Sequence, residues 1–277
     1  MKELTRVQNI ERSIIKKYRK SIWNPFIKAC KDYNLIEAGD NIAVCISGGK
    51  DSMLLAKLIQ MLKRISDVPF DVRYIAMDPG YNAQNLELIK QNAAALEIPI
   101  EIFHSDIFDI VTEIPTSPCY LCARMRRGHL YAKAQELGCN KIALGHHKSD
   151  VIETTLMAML YGAQLQGMLP RLFSKNFEGM QLIRPLYCIL EDDIISWKNH
   201  NELRFLQCAC RFTEQTDRDD EASASKRKET KLIIKELKKM NPQIESNIFN
   251  SLHNVHVDTF IEYKEDGERH SFLERFS

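Results

Sequence analysis

The chain has 277 residues, 44% hydrophobic and 27% charged, with a formal net charge of +1. This is an ordinary make-up for a soluble globular protein of one large or two small domains, and it excludes a surface that is basic throughout. No apolar run approaches the roughly 18 residues of a membrane span, and the first residues lack the apolar core of a secretion signal, so a cytoplasmic location and no membrane partner are expected. In that setting eight cysteines read as thiols, metal ligands or catalytic sulfurs rather than as a disulfide framework.

Taken in order, residues 5–37 predict helix. Ile10, Ile14, Tyr18, Ile22 and Phe26 recur at every fourth position, an apolar stripe that docks on the body and leaves Lys and Arg opposite. Pro25 predicts a break near Asn24. Residues 1–31 carry nine basic and two acidic side chains, a local balance of +7, which suits either a solvated face or contact with a polyanion.

From Gly39 a regular alternation begins. Strands are predicted at 42–46, 72–77, 100–104, 141–144 and 182–184, with helices at 50–65, 85–96, 121–137 and 150–161 between them. Near-continuous apolar strands separated by helices predict an α/β fold, a parallel twisted sheet with helices on both faces and right-handed crossovers. Residues 163–181 read as loop and 191–201 as helix. The polar stretch 213–231 reads as a loop or a helix start, 232–240 as helix, and the chain beyond Lys264 as frayed. The expected organisation is a basic helical segment at 1–38, a catalytic domain at 39–215, a helical extension at 216–260 and a flexible tail at 261–277.

Three loops follow predicted strands and so meet at one sheet edge, where such sheets bind ligands. Ser47-Gly48-Gly49-Lys50-Asp51-Ser52 combines glycines, hydroxyls and a lysine at a helix start, a cradle for phosphate. Its spacing is not that of the Walker loop. The bland alternative is a permissive strand-to-helix turn. Asp78-Pro79-Gly80 follows the second strand. Gly145-His146-His147-Lys148-Ser149-Asp150 offers Asp150 as a helix cap or a cation ligand near phosphates. His146 suits a nucleotide contact or a satisfied turn, and for His147 the turn reading is preferred. Glu153 shares a helix face with Asp150, and Arg184 ends a strand.

Cys119-Tyr120-Leu121-Cys122 follows Pro118 at a predicted helix start, where two thiols can share one metal. Further ligands are required, and Cys208-Ala209-Cys210 is the other cysteine cluster. A zinc site, an iron–sulfur site and a redox dithiol all remain open on chemistry alone, with zinc the default. Cys30, Cys45, Cys139 and Cys188 stand singly in apolar patterns and read as core. Arg124, Arg126 and Arg127 follow the first pair and suit phosphate contact as well as a solvated face.

The six-residue loop resembles the PP-loop of the ATP pyrophosphatases. The whole series, adding Cys-x-x-Cys-x-Arg-x-Arg-Arg-Gly, Leu-Gly-His-His, Gly167-Met168 with Pro170, Ile-Arg-Pro-Leu and a late cysteine pair, resembles the tRNA 2-thiocytidine synthetases over roughly residues 10–258. That resemblance implies an ATP-dependent tRNA sulfurtransferase that adenylates the C2 oxygen of an anticodon-loop cytidine, releases pyrophosphate, and uses a [4Fe-4S] cluster held by three cysteines.

By the same resemblance Ser47, Gly48, Gly49, Lys50, Asp51 and Ser52 bind ATP phosphates and Mg²⁺, and Ala76, Gly145 and Arg184 line the nucleotide site. Cys119 and Cys122 are cluster ligands, with Cys210 favoured and Cys208 open as the third. Lys50, Arg126, Arg127 and Asp150 are the candidates for catalysis. The partners implied are tRNA and a sulfur donor, either a cysteine desulfurase or free sulfide, with a homodimer left open. Two departures stand out: the late pair is one residue shorter than the family's C-x-x-C, and Lys148-Ser149 replaces a more usual acidic residue before Asp150. The absence of zinc-type cysteine pairs at both ends favours the cytidine branch over the 2-thiouridine branch. Rival readings are another PP-loop adenylating enzyme, including one for small-molecule amidation, and a nucleotide-binding cysteine redox sensor.

Overall fold

The computed structural model describes residues 4–105, 107, 118–206 and 221–276; residues 118–123 and 221–225 are described as backbone alone. Helix α1 (Arg6–Ile15) opens with a capping box, the Thr5 hydroxyl accepting from Gln8 N and the Gln8 side chain accepting from Thr5 N. Helix α2 (Asn24–Asp32) carries Pro25 in its first turn, where a missing N–H costs nothing.

Between them lies a π-helical turn, Arg19–Trp23, in which Trp23 N donates to Tyr18 O at 3.2 Å. The break predicted near Asn24 is therefore a wide turn rather than a stop. Its cause is the four-residue spacing of the stripe. In an uninterrupted α-helix, positions 10 and 26 diverge by about 160°, and one extra residue cuts that to about 60°. Ile10, Ile14, Tyr18, Ile22 and Phe26 are accordingly all buried.

The central sheet comprises β1 (Asn41–Ile46), β2 (Asp71–Asp78), β3 (Ile100–His104), β4 (Lys141–Ala143), β5 (Arg171–Phe173) and β6 (Gln181–Ile183). Their order is β3-β2-β1-β4-β6-β5. Every pairing is parallel except β5 with β6. Helices α3 (Lys50–Ile65), α4 (Ala83–Ala95), α5 (Pro118–Glu136), α6 (Lys148–Gly162) and α7 (Glu191–His200) connect or flank the strands. The chain leaves β1 toward β2 and later returns to β4 on the other side, so a crevice opens between the carboxyl ends of β1 and β4. At the opposite end the fully buried Lys141 is held by Asp40 at 2.6 Å, Glu37 at 2.9 Å and the Leu35 carbonyl at 3.2 Å. Truncating one partner of such a buried pair typically costs about 3–5 kcal/mol.

Three expectations change. Residues 163–181 contain β5, an edge strand whose three residues are too few to show a period and which exists by pairing with β6. The predicted helix 232–240 begins earlier, as α8 (Glu221–Met240), and after Pro242 the chain re-forms a helix, α9 (Ile244–Ser251). The frayed end expected beyond Lys264 is instead a hairpin of β7 (Glu262–Glu265) and β8 (Glu268–Ser271). Asp266 and Gly267 both take positive φ, 50° and 90°, the two-residue turn whose twist matches the flanking strands.

Candidate functional site

A cleft of about 350 Å³ opens between the carboxyl ends of β1 and β4. Ser47, Asp51 and Ser52 line it from the first loop, Gly145, His146 and Asp150 from the second, and Met77, Arg126 and Leu130 from the flanking elements. The convergence expected of the three strand-end loops thus holds for six residues of two of them, while Asp78-Pro79-Gly80 does not line the cleft; Arg126 enters the wall from α5.

The first loop is pinned by hydroxyls. Ser52 Oγ accepts from Ser47 N and Ser47 Oγ, both at 3.2 Å, and donates to the Gly49 carbonyl at 3.0 Å. Gly48 has φ +84°, and a Cβ there would lie 2.7 Å from Ile89 and 2.9 Å from Leu206, so only glycine fits. A Cβ on Gly145 would stand 3.0 Å from Ser52 N and 3.1 Å from the Asp51 carbonyl carbon. The second loop therefore passes against the first turn of α3, where backbone N–H groups are unpaired by the helix itself.

Among the described residues two polar atoms inside the cleft are buried without a hydrogen-bond partner, Asp51 Oδ1 and His146 Nδ1, the former with His147 Nε2 no nearer than 3.8 Å. Burial, with Arg184 adding to it, pulls the His146 pKa down to about 4, leaving its imidazole neutral at pH 7. His147 is the cap of α6: its Nδ1 accepts from Asp150 N at 3.3 Å while Asp150 Oδ2 accepts from His147 N at 3.0 Å. The preferred turn reading of His147 is what the structure has.

Other expected residues sit around the cleft rather than in its wall. Lys50 Nζ points to Glu191 at 2.9 Å and Asp51 at 3.1 Å. Ala76 is buried in β2, paired with Ile46. Arg184 is buried and donates to the Leu169 carbonyl; burial, with nearby Arg127, lowers its pKa to about 10. Arg126 donates to the Tyr81 hydroxyl at 2.7 Å, while Arg124 and Arg127 face solvent. Asp78 ends β2 as expected, but one carboxylate oxygen accepts from Gly80 N and Tyr81 N, shaping its own turn.

Positions 119 and 122 fall in the first turns of α5. With 126 and 130 they form one helical stripe at spacings of three and four, and Arg126 and Leu130 line the cleft. Position 119 is thus roughly 10 Å up the helix from position 126. Cys208 and Cys210 lie outside the described residues. Cys30, Cys45 and Cys139 are buried and Cys188 half-buried, as core residues would be. Burial pushes the Cys45 thiol up to about 12, which keeps it protonated although it touches the cleft floor.

A charged cluster escaped the sequence. Arg227 and Lys231 of α8 lie one turn apart and face three carboxylates. Arg227 meets Asp150 at 3.3 Å and Glu153 at 3.6 Å; Lys231 meets Glu191 at 2.8 Å and Glu153 at 3.6 Å. Burial raises the Glu153 pKa to about 7 against the pull of Lys231 and Arg227. Burial also disfavours ionised Glu191, but hydrogen bonds from Lys231 and Lys50 prevail and hold it at about 2. The i, i+4 basic pair was visible; its partners, about 40 and 75 residues upstream, were not.

Known proteins resemble this chain in sequence and in fold. Residues 16–219 match the PP-loop domain. The chain is 35% identical over 232 residues to the tRNA-cytidine(32) 2-sulfurtransferase of Geotalea uraniireducens (strain Rf4), covering 82% of this chain and 88% of the relative. It is 39% identical over 215 residues to that of Aliivibrio fischeri (strain MJ11), covering 75% and 67%. Among solved structures, the U34-tRNA thiolase NcsA from Methanococcus maripaludis with its [4Fe-4S] cluster has the same fold, with a TM-score of 0.65 at 22% identity over 84% of this chain and 78% of that one.

Proposed function

The chain belongs to the PP-loop family of tRNA-cytidine(32) 2-sulfurtransferases, and from that premise we propose that it uses ATP to replace the C2 oxygen of an anticodon-loop cytidine with sulfur. The observation that carries the reading is the shared cleft. The first turns of α3 and α6 open onto it, and the stripe of α5 that holds Arg126 and Leu130 also holds positions 119 and 122.

ATP suits that cleft by its cradle: Gly48 and Gly145 leave no room for a side chain, and Asp51 Oδ1 and His146 Nδ1 have no hydrogen-bond partner among the described residues. In this reading Ser47, Gly48, Gly49, Lys50 and Ser52 bind the phosphates, and Ala76, Gly145 and Arg184 shape the nucleotide pocket. Asp51 would hold Mg²⁺, whose charge suits a departing pyrophosphate. Cysteine thiolates a helical turn apart suit a soft iron site. Cys119 and Cys122, with Cys210 or Cys208, would hold a [4Fe-4S] cluster, which when bound would carry the incoming sulfide.

The chemistry follows from what cytidine lacks, since its C2 oxygen is a poor leaving group. That oxygen attacks the α-phosphorus of ATP, the bond to the β-phosphate oxygen breaks, and pyrophosphate departs toward the N-terminus of α3, where loop amides and Lys50 stabilise its charge. Sulfide, free in solution or released when a thiol reductant reduces the persulfide of a cysteine desulfurase, adds to C2, and AMP leaves with the former carbonyl oxygen. Arg126, which lines the cleft, or its solvent-facing neighbour Arg127 stabilises developing charge, and Asp150, fixed by His147 and Arg227, shuttles the proton. The target base leaves its stack to reach the cleft, as single-stranded RNA loops permit.

The test is anaerobic purification and reconstitution, followed by incubation with tRNA, ATP and sulfide. Pyrophosphate and 2-thiocytidine should form in equal amounts and depend on Cys119 and Cys122. Cys210→Ser should lose iron while Cys208→Ser keeps it. Stoichiometric zinc without iron, or pyrophosphate formed without thiolation, would sink the reading.

A further inference from the structure

We propose that a groove on the far side of α7 is a docking surface for the phosphate backbone of RNA, remote from the cleft. The proposal rests on the tRNA-modifying function proposed above and says where the substrate is gripped. The groove has a volume of about 830 Å³ and runs between α1 and the end of α7. Arg6, Arg12, Lys16, Lys17 and His200 line it, and Glu202 is its one acidic wall residue.

Three features make this more than a solvated helix face. First, three of the cations are unpaired among the described residues. Arg6, Arg12 and Lys16 are exposed and make no ion pair among the described residues. The acid on the same helix, Glu11, is turned away to Lys57 at 3.1 Å and Arg64 at 2.6 Å. A stabilising surface network would pair such charges; an anion site leaves them open.

Second, the wall is polar. Ile10 is 2% exposed and Ser13 8% exposed, so the groove presents guanidinium, ammonium, amide and imidazole groups with no large apolar anchor. Arginine forks and mobile lysines suit phosphate oxygens, whereas a protein partner or an inserted lipid surface calls for apolar anchors.

Third, the groove is tied to the cleft by one rigid element. Helix α7 has 10 residues and is roughly 15 Å long. Its first residue, Glu191, bonds Lys50 of the cleft loop, and its last, His200, lies 3.0 Å from Lys17 in the groove. Asn201 just beyond donates to Ser13 of α1 at 3.1 Å. Groove and cleft therefore keep a fixed separation, equal to about four or five nucleotides of helical rise. A strand held in one can present a base to the other.

The test is equilibrium binding of unmodified tRNA to the full chain over a range of KCl concentrations, with ATP affinity measured in parallel. Wild type should show a steep loss of affinity with salt. The triple variant Arg12→Ala/Lys16→Ala/Lys17→Ala should bind at least tenfold more weakly at 150 mM KCl, with a log–log salt slope flatter by about 2, and should bind ATP as wild type does. Arg12→Lys/Lys16→Arg/Lys17→Arg, which keeps the charge, should bind tRNA as wild type does. Equal affinity and slope for wild type and the alanine variant would overturn the groove alone. Failure of wild type to bind tRNA at any salt would overturn the functional reading with it. If the alanine variant keeps tRNA affinity but loses binding to phosphatidylserine vesicles, the surface belongs to a membrane and the RNA assignment is wrong.

Discussion

Lys50 Nζ lies 2.9 Å from Glu191 Oε1, and Lys231 Nζ lies 2.8 Å from the other oxygen of the same carboxylate. The lysine of the 47–52 loop and a lysine of α8 thus share one acid. Any phosphate entering the cleft competes with Glu191 for Lys50. Glu191→Gln should therefore tighten ATP binding several-fold in calorimetry. It should also loosen α8, raising amide exchange across 226–234 and lowering stability by about 1–3 kcal/mol. Unchanged exchange in α8 would show that the shared acid does not hold it.

Glu153 predicts a pH dependence of defined sign. Its folded pKa, about 7, exceeds its ordinary 4.5 because burial disfavours the anion. The stabilisation it contributes is complete below about pH 4.5 and is lost as pH rises through 7. It is worth at most about 3 kcal/mol. Urea midpoints from pH 5 to 8 should fall more steeply for wild type than for Glu153→Gln, which carries a permanently neutral group. Parallel curves would refute the assignment.

The two loop glycines should behave differently. Ala at position 48 combines φ +84° with contacts of 2.7 and 2.9 Å to Ile89 and Leu206, so Gly48→Ala should cost about 1–3 kcal/mol and abolish measurable ATP binding. A Cβ on Gly49 meets nothing closer than 3.6 Å, and its φ is −79°. Gly49→Ala should therefore melt within a degree or two of wild type. Equal losses would show that loop chemistry, not backbone fit, selects both.

The C-terminal hairpin supplies a local test. Gly267 sits at φ +90° opposite open space, so Gly267→Ala strains the turn without a clash. Exchange of the β7 and β8 amides should accelerate by an order of magnitude, about 1 kcal/mol of local stability, with the cleft unaffected.

The sheet was legible because Ile42–Ile46 of β1 and Tyr74–Met77 of β2 are buried and read as apolar runs, and because Gly48 and Gly145 mark tight places in the loops that follow β1 and β4. Asp51, Ser52, His146 and Asp150 could be placed in one cleft because strand-end loops of a parallel sheet must converge. The Lys50–Glu191–Lys231 bridge could not, since it joins three helices from distant parts of the chain and charge alone does not name its partner. β5 was hidden for a similar reason: Arg171, Leu172 and Phe173 become a strand only by borrowing hydrogen bonds from β6. The Asp266-Gly267 turn, by contrast, was readable and was passed over because the residues around it are polar.

The wide turn at Arg19–Trp23 acts as a phase setter between α1 and α2. A single-residue deletion there would restore an ordinary α-helical path and rotate everything before it by about 100°. That would carry Arg12 and Lys16 out of register with His200 while leaving Ser47, Gly145 and Asp150 where they are. One residue of helical surplus thus keeps two remote surfaces in alignment, and a variant lacking it should retain the cleft between β1 and β4 but lose its geometric link to whatever the N-terminal helix holds.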